Sequence, residues 1–333
     1  MKAIVMTEVG APDVLQLREL PEPNLTAADQ VKVRLLGAGV NPVDTKLRSR
    51  GLIVADGPTP ILGCDGAGEV VECGSDVADL KVGDMVWFCH GGLGREPGNY
   101  AQYTVLPAAV ARPKPAALTA LQAAAGPLVL ITAWEALFDR AHVKAGQTVL
   151  IHAGAGGVGH VAIQLAKLAG ARVCTTASGS AKADFLRELG ADLVIDYRQT
   201  DFVAAVNEWT EGRGVDVVLD SIGGDTFRRS LEVTAHYGDV ITLLDPGNDV
   251  VWKEARNRNL RIGFVLMLTP MLVDLPQARA HQGEILDRCA VDLNVGQLRL
   301  HISEVLPLSQ AAEAHRRIEQ GHVQGKLVLD VNA

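Results

Sequence analysis

The chain has 333 residues, 48% apolar and 21% charged, enough for about two ordinary domains with their own cores and too apolar for a disordered chain. Its formal charge is −8, from 31 basic and 39 acidic residues, and the basic residues are scattered, which argues against nucleic acid as a partner. Five cysteines, Cys64, Cys73, Cys89, Cys174 and Cys289, are odd in number, far apart and never in a C-x-x-C pair, so a reducing compartment is expected and a disulfide framework is not.

The opening MKAIVMTEVG reads as a first strand and not as a secretory leader. No run approaches the apolar length that spans a bilayer, so the expectation is a soluble, cytoplasmic protein that does not engage membranes. After it come VLQLREL, QVKVRLLGAGV, GAGEVVECG, DMVWFCH and YAQYTVLP, short alternating or apolar runs broken by Gly, Pro and Asp. Together they predict an all-β module without helical periods between the strands. Within it, ILGCDGAGEV sets Cys64 beside Asp65 between glycines. Both are credible zinc ligands, so the pair raises the question of half a metal site.

From Gln147 the pattern changes. Thr148 to His152 suits a buried parallel strand; Val158, Val161, Ala162, Leu165, Leu168 and Ala169 then recur at helical spacing, with Gly170 as the stop. Arg172 to Thr176 is the next strand. The turn between strand and helix, Gly154-Ala155-Gly156-Gly157-Val158-Gly159, satisfies G-x-G-x-x-G in the βαβ context that gives that motif its meaning. Gly154 permits the tight turn, Gly156 and Gly157 let amides approach a pyrophosphate, and Gly159 lets helix and strand pack closely. Further strands are predicted at 192–196, 215–220, 239–243 and 260–265, making six, as in a doubly wound dinucleotide-binding sheet. His152 reads as a packing residue.

At the end of the second strand an NAD site usually carries an acidic residue for the ribose hydroxyls. Here Ser178, Gly179, Ser180 and Lys182 come before any carboxylate, and small hydroxyls plus a cation suit a ribose phosphate, favouring NADPH. A plainer alternative is that Ser178 and Ser180 only cap the helix beginning near Ala181. The C-terminal SEVLPLSQAAEAHRRIEQGHVQGKLVLDV reads as strand, helix and strand, returning to the β module.

The order AGVNPVD, GCDGAGEV, VGDMVW, AGAGGVG and GKLVL resembles, over essentially the whole chain, the medium-chain dehydrogenase/reductase superfamily, and within it the zinc-free quinone oxidoreductase branch that includes zeta-crystallin. The resemblance implies a GroES-like catalytic domain over 1–125 and 266–333, a Rossmann domain over 126–265, a cleft between them, and a homodimer. It implies that Asn41 faces the nicotinamide end of the cleft with Asp44 supporting it or the substrate. It further implies cofactor contacts from Thr132, the 154–159 turn, Tyr197, Ser221, Leu243, Phe264, Val265 and Lys326. Alternatives stay open: Asn41 before Pro42 as a mere turn, Asp44 as a helix cap, Tyr197 as a half-buried aromatic.

Zinc alcohol dehydrogenases of the superfamily have Cys where this chain has Asn41, His-Glu where it has Cys64-Asp65, and a third Cys near Gly126-Pro127. Their proton-relay hydroxyl falls at Val43. Ligands and relay are missing together, so no metal is expected. Hydride would then pass from NADPH to an acceptor already electrophilic, a quinone or an activated α,β-unsaturated carbonyl. The loops 48–60 and 90–98 would shape its pocket, with Cys89 and His90 not expected to be catalytic. The competing readings are a dehydrogenase with a degenerate metal site at Cys64 and Asp65, and a non-enzymatic crystallin or RNA-binding relative.

Overall fold

The computed structural model describes residues 1–54 and 60–333, so 55–59 of the expected pocket loop 48–60 lie outside the described residues. The chain divides into two compact units, Met1–Val129 with Leu268–Ala333, and Leu130–Met267. No helix among the described residues is long and apolar enough to cross a membrane.

In the first unit, β1 (Lys2–Met6) and β2 (Leu15–Glu19) form an antiparallel pair. Next come β3 (Gln30–Val40), β4 (Asp65–Cys73), β5 (Met85–Cys89), β6 (Tyr103–Pro107) and β7 (Arg112–Pro113). Val31, Val33 and Leu35 are fully buried, the spacing of two that puts one face of β3 into the core. Gly39 of β3 lies opposite Asp65, the first residue of β4, and Asn41 follows one residue after the strand.

The first strand of the second unit is β8 (Thr148–Ile151), buried at every position as a parallel central strand should be. Its companions are β9 (Arg172–Ala177), β10 (Leu193–Asp196), β11 (Val215–Asp220), β12 (Thr234–Thr242) and β13 (Arg261–Phe264). Among the described residues they form a parallel sheet in the order β10-β9-β8-β11-β12-β13. Counted from β8, that is 3-2-1-4-5-6, the doubly wound order, whose direction reverses beside β8. Helices cross between strands, and Leu150, Cys174, Val218, Phe227 and Val240 meet in a fully buried core. Truncating Phe227 there would cost about 3–5 kcal/mol.

The chain then returns to the first unit. β14 (Ile302–Pro307) pairs with β15 (Lys326–Asp330), and β15 lies antiparallel to β3 with Leu327 opposite Val40. That register carries Lys326 to the end of β3 where Asn41 begins.

Three features depart from the sequence reading. The expected module without helices contains the helix Pro42–Arg50, whose buried face is Asp44, Thr45, Leu47 and Arg48. With three of those four polar, no apolar period announces it. A 19-residue helix, Pro276–Asn294, occupies a stretch for which no element was expected. β12 starts at Thr234, five residues before the predicted 239, because the chain first pairs Thr234 with Val215 and then shifts register.

Candidate active site

The residues expected at the cofactor in the second unit gather along one edge of its sheet. The turn 154–159 follows β8, Ser178 follows β9, Tyr197 follows β10, Ser221 follows β11, Leu243 follows β12, Phe264 ends β13 and Val265 follows it. In a doubly wound sheet this carboxyl edge is where ligands sit. Thr132 lies elsewhere, buried in the helix Pro127–Trp134.

Local geometry explains the glycines of the turn. A Cβ on Gly154 would stand 2.0 Å from Thr175 Oγ1, and one on Gly159 would stand 2.4 Å from the Ala153 carbonyl oxygen and 2.7 Å from Gly154 Cα. Gly156 meets only the Ala153 oxygen, at 3.2 Å, so its outer side is open. The helix Gly157–Leu168 starts there, and the amides of a first helical turn have no intrahelical acceptor, which suits a pyrophosphate. The loop is pinned from below: Gly154 N donates to Thr176 O at 3.0 Å, and Ala153, at φ 52°, donates to Thr176 Oγ1 at 3.2 Å. His152 packs as expected, buried between Thr176 Oγ1 (3.1 Å) and Ser230 Oγ (2.9 Å), and burial lowers its pKa to about 4. It is therefore a neutral structural imidazole.

At the end of β9 the helix Ser180–Glu188 is capped by Gly179, at φ +82°, and neither Ser178 nor Ser180 supplies a side-chain cap. The capping alternative is thus not realised. Lys182 is half-buried on that helix and Tyr197 is 54% exposed, its amide donating to Ala177 O at 3.1 Å. Sequence reasoning overlooked Asp196, whose Oδ2 accepts from Gly179 N at 3.2 Å, a carboxylate beside the proposed phosphate pocket.

In the first unit the register of β3, β4 and β15 assembles a buried polar cluster. Asn41 and Asp65 are 0% exposed and Lys326 3%. Asn41 Nδ2 donates to Asp65 Oδ2 at 2.9 Å, and Leu128 N donates to Asp65 Oδ1 at 2.7 Å. Lys326 Nζ donates to Val40 O at 3.0 Å and to Asn41 Oδ1, and lies 3.4 Å from Asp65 Oδ2. Burial raises the Asp65 pKa, opposed chiefly by the Lys326 ammonium. Asp44 lies beside this cluster. Its Oδ2 accepts from Asn41 N at 2.8 Å and from Tyr100 OH at 2.9 Å, while Oδ1, also buried, has no partner. Desolvation pushes its pKa up to about 7. Asp44 therefore caps the helix Pro42–Arg50 as well as bracing Asn41. His315 Nε2 lies 3.3 Å from Tyr100 OH, and burial holds its pKa at about 3.

Cys64 and Asp65, adjacent in sequence, fall into two environments. Asp65 joins the cluster, whereas Cys64 is fully buried and its thiol pKa is raised by contact with Cys89 and by burial, so it is no activated nucleophile. Asn99 fixes the surrounding backbone, its amide donating to Gly63 O (3.2 Å), Cys64 O (2.9 Å) and His90 O (2.9 Å). Gly63, at φ +97°, allows this turn, and a Cβ there would strike the Tyr100 ring at 2.4 Å. His90 is not solvated: Arg279 donates to its Nδ1 at 2.9 Å, and desolvation lowers its pKa to about 3. Among the described residues no group of three or more His, Cys, Asp or Glu side chains could hold a metal ion.

Two family models match: the alcohol dehydrogenase GroES-like domain over residues 27–116 and the zinc-binding dehydrogenase over 189–329. The chain is 33% identical to the quinone oxidoreductase of Pseudomonas aeruginosa over 334 residues, 98% of this chain and 99% of that protein. The chain belongs to the medium-chain dehydrogenase/reductase superfamily. Among other members, it is 33% identical to a 2-haloacrylate reductase of a Burkholderia species, covering 98% of each chain. The Escherichia coli quinone oxidoreductase, solved in complex with NADPH, superimposes with a TM-score of 0.86 at 29% identity, covering 99% of this chain and 100% of that one. The superfamily also supplies parts of larger proteins. The chain is 31% identical to a phenolphthiocerol/phthiocerol polyketide synthase subunit of Mycobacterium tuberculosis over 99% of its own length, but spans only 15% of that synthase.

Proposed function

We propose that this superfamily member is a zinc-independent, NADPH-dependent oxidoreductase that delivers hydride to a quinone or an activated α,β-unsaturated carbonyl. The observation that carries the reading is the state of Asp65. This carboxylate, at the position of the zinc dyad, has both oxygens engaged by Lys326, Asn41 and Leu128 N. A metal bound at Oδ2 would have to displace Asn41 Nδ2 and the Lys326 ammonium. Without a Lewis acid to form an alkoxide, the chemistry favours an acceptor that needs none. The P. aeruginosa and Burkholderia relatives, a quinone oxidoreductase and a 2-haloacrylate reductase, act on acceptors of this kind by name.

Bound NADPH supplies the hydride. The 154–159 turn would hold its pyrophosphate against helix amides, Ser178 and Lys182 would hold the ribose phosphate with Tyr197 beside it, and Ser221, Leu243, Phe264, Val265 and Thr132 would orient the remainder. Asn41 has one amide N–H not used by Asp65; the side chain is 0% exposed, so the groups covering it must part before it can donate to the acceptor oxygen as negative charge develops there. Asp44 steadies Asn41 through its backbone amide. Water then protonates the reduced oxygen.

The test is NADPH oxidation across quinones, enones, acrylates and aldehydes, with and without chelator, alongside alcohol oxidation with NADP. Chelator-resistant quinone or enone turnover is expected; chelator-sensitive alcohol turnover overturns the reading. Ser178→Ala and Lys182→Ala should weaken NADPH more than NADH, and equal losses would contradict the phosphate site. We further expect a cytoplasmic homodimer, to be checked by light scattering on the purified protein.

A further inference from the structure

The donors and acceptors around Asn41 can be accounted for one by one. An ammonium has three N–H bonds. Lys326 has three acceptors in reach, Val40 O at 3.0 Å, Asn41 Oδ1, and Asp65 Oδ2 at 3.4 Å, all inside the first unit. Asp65 in turn takes Leu128 N on one oxygen and Asn41 Nδ2 with Lys326 on the other.

A primary amide can rotate by half a turn with almost no change in shape. In Asn41 that rotation would face Oδ1 toward the Asp65 carboxylate and Nδ2 toward the Lys326 ammonium. With all three side chains buried, both contacts would be repulsive where water cannot screen them. The two charges therefore dictate which end of the amide points where. Lys326 also sets a cation, built into the chain, at the residues that replace the metal's ligands.

We propose that Asp65 and Lys326 are positioning residues, a buried ion pair that locks the Asn41 amide in one orientation and aims its second N–H at the oxygen of the electron acceptor. The proposal rests on the reading of Asn41 given above and deepens it. It also reassigns Lys326. The sequence suggested a cofactor contact, but its N–H bonds are spent on Val40, Asn41 and Asp65, so it acts through Asn41.

The decisive variant removes both charges together, Asp65→Asn with Lys326→Met, so that no unpaired charge stays buried. Circular dichroism checks folding, NADPH affinity is read by fluorescence quenching, and steady-state kinetics separates kcat from KM. Affinity for NADPH should stay within about threefold while kcat falls about ten- to a hundredfold, since a misdirected donor no longer meets the developing charge. Turnover within about twofold of the parent would overturn the proposal. So would an NADPH affinity about tenfold weaker with kcat unchanged, which would return Lys326 to the cofactor.

A measurement on the unaltered protein needs no variant to fold well. The Asn41 side-chain amide signals, assigned in a nitrogen-15 spectrum by their loss in Asn41→Asp, should lie far from free-amide positions and exchange slowly with deuterium. Rapid exchange at free-amide positions would refute the lock. Absence of quinone and enone turnover in the parent would refute the functional reading but leave this spectral result standing, so the two failures are distinguishable.

Discussion

Replacing Asp44 by Asn should remove a pH dependence of stability that the structure places at one carboxyl group. Asp44 is fully buried, spends Oδ2 on Asn41 N and Tyr100 OH, leaves Oδ1 without a partner, and has its pKa pushed up to about 7 by desolvation. In the unfolded chain it titrates near 3.9, so between about pH 4 and pH 7 the native state binds more protons than the unfolded one. Stability from this group is whole below about pH 4 and is lost as the pH rises through about 7. About three pKa units correspond to roughly 4 kcal/mol in total, of which about 2.5 kcal/mol falls between pH 5 and pH 8. The Asn variant cannot titrate, so the stability difference between parent and variant isolates this group from the other carboxylates. Urea unfolding read by the fluorescence of Trp87, buried in β5 of the same unit, would follow it. The parent should lose about 2.5 kcal/mol relative to the variant between pH 5 and pH 8. A difference that stays constant with pH would refute the assignment of a neutral Asp44.

Gly63→Ala should cost about 2–4 kcal/mol, because Ala resists φ +97° and its Cβ would strike the Tyr100 ring; an unchanged melting temperature would contradict this. Gly159→Ala places a Cβ 2.4 Å from the Ala153 oxygen, and should weaken NADPH binding about tenfold or more while leaving the unfolding midpoint of the first unit unmoved; titration calorimetry checks the first and denaturation the second. His152 has the opposite pH sign to Asp44. Its pKa is depressed to about 4, so acidification through the window from about 6.5 to 4 removes stability, up to about 3 kcal/mol. His152→Gln should flatten that acid limb for the second unit, and an identical limb in both proteins would show that the imidazole is not held neutral.

What could be read in advance follows from which forces are local. β8, β9, β10, β11 and β13 matched their predicted spans to within a residue or so, because each is a short β-branched or apolar run bounded by polar or glycine-containing segments, and such a run is a local signal. The dinucleotide turn was legible for the same reason, its glycines answering contacts within the same βαβ unit. The helix Pro42–Arg50 was not, since its buried face is mostly polar and meets partners distant in sequence such as Glu319, which pairs with Arg48. Nor was the role of Asp65. Its partners are Asn41, 24 residues away, and Lys326, 261 residues away, and no spacing rule links them. Read alone, Cys64-Asp65 was a broken ligand pair; the register of three strands makes Asp65 half of an ion pair and leaves Cys64 as packing.

The discontinuity of the first unit bears on how the molecule is made. Leu130–Met267 is one uninterrupted stretch and can close around its own core as soon as it is synthesised. The first unit can begin β3, β4 and β5 early but must wait for β15. Until Lys326 arrives, Asp65 has no cation to answer it, and a carboxylate without a counterion resists burial. The strand that completes the sheet thus also licenses the site. Chains lacking the last strand should hold a folded second unit and an open first one, in which Asp65 lacks its cation.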